Sequence, residues 1–123
     1  MSTPDTNPRF RLRLVFGPEE WMGPGKAELL EHIETTGSIS AAGREMGMSY
    51  KRAWQLVDTM NAMFRAPLVH SSRGGAKGGG AVLTDLGQAV LAEYRALEDK
   101  ARAAGADNIA RLQAMLVDIS DGE

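Results

Sequence analysis

A mainly α fold with a small β-sheet is predicted by three features of this 123-residue sequence. Stretches with apolar residues three and four apart, the helical period, fill most of the chain after Pro24. Two of these stretches are separated only by a tight glycine-containing turn. Two short β-prone runs, joined by a glycine-rich loop, precede the last and longest helical stretch. The length bounds the chain to one domain with room for an appended helix.

The elements follow in order. Arg9 to Phe16 alternates, with Phe10, Leu12, Leu14 and Phe16 on one face and Arg9, Arg11 and Arg13 on the other, the pattern of a half-buried edge strand. Residues 1–8 are expected to be disordered. Gly17-Pro18 and Gly23-Pro24-Gly25 punctuate the chain, and Trp21-Met22 between them forms an apolar plug. Pro24 suits the first position of a helix that reads Lys26 to Thr35, with Leu29, Leu30 and Ile33 as its stripe and Gly37 as its stop. Ser40 is expected to cap a short helix, Ala41 to Met46, ended by Gly47. Ser49 caps a third helix, Tyr50 to about Phe64, whose Ala53, Val57, Met60 and Phe64 line one face, widened by Trp54, Leu56 and Met63.

Leu68–Ser72 and Ala81–Thr84 then form a hairpin whose tip, Arg73 to Gly80, is basic and rich in glycine. Thr84 or Asp85 opens the long helix, with Leu86, Val90, Tyr94, Leu97 and Ala101 on one stripe. Gly105 is expected to break it. Ile109, Leu112, Leu116 and Ile119 repeat with the spacing of a seam that seeks a partner. The order is that of a winged helix-turn-helix: two helices about a tight turn, a β-hairpin wing, and a long helix after it. The expected division is a winged unit at 1–84 and a C-terminal dimerisation helix region at 85–123.

Composition removes several functions. Without cysteine there is no disulfide framework and no thiolate chemistry. His32 and His70 lie far apart, so they do not make a zinc site, and the seven Met sit largely at core positions, where Met fills irregular gaps. No run of about 18 apolar residues is present to span a membrane, and the N-terminus has no secretory apolar core. A cytoplasmic protein with no cofactor is expected. With no clustered histidine and carboxylate set, an enzyme is the weakest reading.

The net charge of −2 at pH 7 conceals a segregation. Arg44, Lys51, Arg52, Arg65, Arg73 and Lys77 face only Glu45 and Asp58 between residues 44 and 80, while both flanks are acidic. Electrostatic steering acts over about 8–10 Å, so the basic block outweighs the total. A recognition helix enters the major groove with its N-terminal residues on base edges. Here those residues are Tyr50, Lys51, Arg52 and Gln55, with Arg and Lys suited to guanine and Gln to adenine. Ser49 with the helix-start N–H groups suits phosphate, as do Ser40 and Arg44 on the preceding helix. On an arbitrary helix Lys51 and Arg52 would be plain solvated charges, and Tyr50 has the alternative of packing under the turn.

The glycine-rich tip does not match a nucleotide-binding loop, which needs Gly-Lys followed by Ser or Thr, because Lys77 is followed by Gly78. It reads as a wing tip in which Arg73 and Lys77 meet phosphates or the minor groove, or else as a loop without contacts. His32 reads as a surface residue and His70 as a structural one on the strand.

The run Gly37-Ser-Ile-Ser-Ala-Ala42, the run Gly47-Met-Ser-Tyr-Lys-Arg-Ala-Trp54, and Gly78-Gly-Gly-Ala-Val-Leu-Thr84 with Leu68-Val69 before it and Gly87 after it resemble the N-terminal DNA-binding domain of the ModE family. These are bacterial molybdate-responsive transcription regulators. The first motif is shared more loosely with LysR-type regulators. The resemblance covers about residues 9–100 and implies a DNA-binding homodimer held by helices flanking the winged unit. On that basis Leu86, Val90, Tyr94, Leu97, Ile109, Leu112 and Leu116 are the expected dimer contacts. Full-length members continue into molybdate-binding β-barrels, for which this sequence has no counterpart. The expectation is therefore a sequence-specific regulator of double-stranded DNA without its own molybdate domain, with molybdenum-related genes as candidate targets. Its rivals are a heterodimer partner that modulates a full-length regulator, and a small oxyanion sensor using the glycine-rich loop or the dimer interface.

Overall fold

The computed structural model describes residues 8–72 and 80–117. The elements are β1 (Leu14–Val15), β2 (Trp21–Met22), α1 (Pro24–Thr36), α2 (Ile39–Glu45), α3 (Tyr50–Met63), β3 (Val69–Ser72), β4 (Gly80–Leu83), α4 (Asp85–Ala104) and α5 (Ala106–Ala114). The fold is α+β, with five helices and two antiparallel two-stranded sheets among the described residues. In the wing, Val69 faces Leu83 and Ser72 faces Gly80.

The core is drawn from nearly every element. Leu29, Leu30 and Ile33 of α1, Ile39 and Ala42 of α2, and Ala53, Val57 and Met60 of α3 are buried together. Leu68, Val69, Ala81 and Leu83 bring the wing onto them, and Leu91 and Tyr94 bring the first half of α4. Trp54 and Phe64 pack at its margin, half-buried. Two close approaches set the geometry. A Cβ on Gly43 of α2 would lie 2.8 Å from the Ala53 Cβ of α3, and one on Gly87 of α4 would strike the Leu68 carbonyl. Glycine is therefore what lets these elements touch.

Two sequence expectations are corrected. Ser40 does not cap α2. Ser38 does, with extended backbone and its Oγ accepting from Ala41 N at 3.1 Å, and the helix starts at Ile39. Starting there buries Ile39 and leaves Ser40 inside the first turn, where its side chain has no cap to make. The predicted Arg9–Phe16 strand shrinks to Leu14–Val15, because its partner β2 is only two residues long between Gly17-Pro18 and Gly23-Pro24. Leu12 still packs on the core, and its carbonyl accepts from the Tyr94 hydroxyl. Phe16 is 59% exposed, and Phe10 lies under Arg102 of α4.

Candidate nucleic-acid interface

The helix-turn-helix is built by its turn. Gly47 has φ +72°, a left-handed conformation that a side chain would strain, and it reverses the chain between α2 and α3. Met48 N donates to Gly43 O at 2.9 Å, closing the turn on α2. Ser49 then caps α3, its Oγ accepting from Arg52 N at 3.0 Å.

Opposite the buried face of α3, its first turns present Tyr50, Lys51, Arg52 and Gln55 to solvent. Tyr50 is 62% exposed and stands edge-on to Trp54, with ring centroids 6.1 Å apart. The alternative of packing under the turn is thus not what Tyr50 does. Arg44 and Ser49 are also exposed, and Ser40 is half-buried on the first turn of α2. Among the described residues Arg44, Lys51 and Arg52 are in no ion pair. Glu45, next to Arg44 in sequence, instead meets His32, whose Nδ1 lies 2.8 Å from Oε1. Arg44, Lys51 and Arg52 thus carry their charge to solvent without a paired carboxylate among the described residues. Arg73 and Lys77 lie outside the described residues.

Asn61 is a residue that sequence reading missed. Its Oδ1 accepts from Leu68 N at 2.8 Å and from Val69 N at 3.0 Å, while Nδ2 donates to Val69 O at 3.2 Å. One side chain of α3 thereby fixes the start of the wing. At the other end of the hairpin, Thr84 Oγ1 donates to Pro67 O at 2.8 Å and accepts from Gly87 N at 2.9 Å. Ala81 N also donates to Gly37 O at 2.9 Å, tying the wing to the end of α1. An Asn near the C-terminus of a helix ahead of a Pro is the only sequence signal that could have pointed to Asn61. His70 is exposed on β3.

The expected dimer contacts fall into two groups. Leu86, Val90, Tyr94 and Leu97 border an apolar groove of about 510 Å³, completed by Leu14, Phe16, Met22 and Phe64. Tyr94 itself is only 5% exposed and largely spent inside the chain, where burial pushes its hydroxyl pKa up. On α5, which buries none of its residues, Leu112 is 63% exposed, and beyond the helix Leu116 is 71% exposed; Ile109 is half-buried near Phe10.

Among the described residues no helix is long and apolar enough to cross a membrane. The bacterial regulatory helix-turn-helix proteins of the lysR family match residues 25–88. The molybdenum-pterin-binding protein MopB of Rhodobacter capsulatus is 52% identical over 77 residues, covering 63% of this chain and 28% of MopB. The molybdenum transport protein ModE of Azotobacter vinelandii is 42% identical over 98 residues, 80% of this chain and 35% of that one. The DNA-binding transcriptional dual regulator ModE of Escherichia coli K12 is 44% identical over 71 residues, 58% and 27% of the two chains. The chain thus spans about a third or less of these relatives. The crystal structure of full-length CbnR with its target DNA shares the fold, with TM-score 0.54 at 19% identity over 70% of this chain and 28% of that one. The chain belongs to the bacterial regulatory helix-turn-helix proteins of the lysR family, and its helix-turn-helix domain is of the ModE type.

Proposed function

We propose that this chain reads double-stranded DNA in a sequence-specific manner as part of a transcription regulator, and that it does so as a homodimer. The observation that carries the reading is the unpaired set Arg44, Lys51 and Arg52, grouped with Gln55 on the solvent side of a helix-turn-helix. Lys51, Arg52 and Gln55 would meet base edges, and Ser40, Arg44, Ser49, Arg73 and Lys77 would meet the backbone. A second copy, joined through the apolar groove on α4 and the exposed Leu112 and Leu116, would set two recognition helices about 34 Å apart, one turn of DNA. The molybdenum-related names of the relatives support molybdenum genes as the regulated set.

Binding-site selection from random DNA, followed by gel shifts across a salt series, tests this. A two-fold symmetric motif, bound with affinity that falls steeply with salt, is the expected result. Equal affinity for random DNA, or salt-independent binding, would sink the specific-reader reading. A monomer that dimerises only when mixed with a full-length ModE-type regulator would replace the homodimer with a heterodimer.

A further inference from the structure

Trp21, in β2, is flanked by two cations. The Arg13 guanidinium carbon lies 4.0 Å from the indole ring centroid, and Lys26 Nζ lies 3.7 Å from it. Lys26 is only 2% exposed, and its ammonium donates to the Trp21 carbonyl at 3.0 Å. Arg13, by contrast, stands in solvent. Among the described residues neither cation has a carboxylate partner, since the ion pairs there join His32 to Glu45, Arg95 to Glu31 and Glu98, and Arg102 to Asp99.

A buried ammonium without a counter-charge is costly, and contact with a ring face and one carbonyl offsets only part of that cost. Consistent with that cost, the Lys26 pKa is held below the ordinary lysine range by burial first, then by Arg13 and by Arg52. Arg52, in the first turn of α3, adds to the positive charge around that ammonium. The start of α1 adds to it, because Gly23 provides no side-chain cap and the first turn holds no acidic residue. Among the described residues Arg13 and Lys26 share one ring with no carboxylate paired to either, and the exposed Arg13 is placed to take an anion from outside the chain.

We propose that the β1–β2 hairpin is a further DNA-contacting element, in which Arg13 binds a backbone phosphate flanking the bases read by α3. Arg13 makes the contact. Trp21 and Lys26 are positioning residues: the ring holds the guanidinium in place before binding, so less side-chain freedom is lost on contact, and the buried ammonium strengthens the field behind it. The inference rests on the DNA-reading function proposed above, and failure of that function would show in the unaltered protein as equal affinity for random DNA or as salt-independent binding.

The test uses the whole chain on its selected operator. Arg13→Gln changes an exposed side chain and leaves the core intact. It is expected to lower the slope of log affinity against log salt by about 0.9 per reading unit, and to remove ethylation interference at one flanking phosphate, with the selected motif unchanged. Trp21→Leu, which keeps the charge and loses the platform, should weaken binding about 3- to 10-fold with nearly the full salt slope. An Arg13→Gln variant with the wild-type slope and interference pattern would overturn the proposal. So would calorimetric binding of inorganic phosphate without DNA that Arg13→Gln abolishes while the DNA salt slope stays as it was, since that outcome assigns the cluster to a small anion.

Discussion

The Arg95 guanidinium lies against the Glu31 carboxylate as a fork, with Nε 2.9 Å from Oε2 and Nη2 2.7 Å from Oε1. Its third nitrogen, Nη1, reaches Glu98 Oε1 at 2.8 Å, and Glu98 is itself buried. One arginine therefore ties α4 to α1, the first helix of the helix-turn-helix domain. Together with the Tyr94 hydroxyl on the Leu12 carbonyl, it sets the angle at which the long helix leaves the core. Arg95→Met should lower stability by about 1–3 kcal/mol, chiefly because Glu98 is left buried without a partner. Urea denaturation at pH 7 measures it.

The same pair predicts a pH dependence. The hydrogen bonds from Arg95 hold the Glu31 carboxyl below the usual carboxylate range, against the opposing effect of burial. A carboxyl lowered in the folded state contributes stability above its unfolded pKa, about 4.3, and loses it as pH falls through the lower folded value. The stability gap between wild type and Arg95→Met should thus be full at pH 6–7 and shrink below about pH 4. A gap that stays constant down to pH 3 would separate Glu31 from the effect.

Gly43→Ala tests the packing of the helix-turn-helix itself. Its Cβ would press on Ala53 Cβ, forcing α2 and α3 apart at the base of the turn. A cost of about 1–3 kcal/mol is expected, with weaker DNA binding as α3 tilts. The double variant Gly43→Ala/Ala53→Gly relieves the contact, so its thermal midpoint should exceed that of Gly43→Ala. If it does not, the close approach is not the cause.

These relationships show what sequence could and could not reveal. The helical periods placed Leu29, Leu30, Ile33, Ala53, Val57 and Met60 in the core, because a 3.6-residue period follows from one buried face. The turn was legible in Gly47 and Ser49, whose chemistry is local. Ser38 and Ser40 were not separable, since both are good caps and only the burial of Ile39 decides between them. Asn61, Arg95 and Tyr94 act across 7, 64 and 82 residues of sequence respectively, and no local pattern encodes such a partner. The arginine alternation at Arg9–Arg13 was visible, but its use was not: Arg13 stands on Trp21 because β2 brings that ring beside it.

Asn61→Leu should uncouple the wing. Leu68 N and Val69 N would lose their acceptor beside a buried strand start, a loss of about 2–4 kcal/mol. A smaller loss is expected for Asn61→Asp, which keeps the acceptor and gives up only the Nδ2 donor to Val69 O. Hydrogen exchange at Leu68 and Val69 reads both directly. If the proposed wing contacts operate, the Leu variant should also lose affinity for all DNA sequences alike.

Leu112 and Leu116 bury little in the chain, so charging them separates folding from association. Leu112→Asp with Leu116→Asp should leave the thermal midpoint within a few degrees. Light scattering should then give the monomer mass, and affinity for a two-half-site operator should drop about 100-fold or more, the usual loss when two linked sites become independent. A variant that stays dimeric would move the interface elsewhere, with the apolar groove beside Leu86 and Val90 as the next surface to charge.

The base and phosphate contacts proposed for α2 and α3 leave different signatures. Arg52 sits in the first turn of α3 with Lys51 and Gln55 beside it, where its fork can meet a guanine edge. Arg44, on α2, is exposed behind the turn and carries charge without a partner. Arg52→Ala should therefore flatten one position of the selected motif, at about 1–3 kcal/mol of lost discrimination, with weaker binding to the preferred site. Arg44→Ala should leave the motif intact, weaken every sequence about equally and lower the salt slope by about 0.9. The proposed wing residue Lys77 should behave like Arg44. Competition of selected against scrambled duplexes, repeated at several salt concentrations, resolves the two classes. If Arg52→Ala changes only the salt slope and leaves the motif sharp, Arg52 is a backbone contact and base reading falls to Lys51 and Gln55.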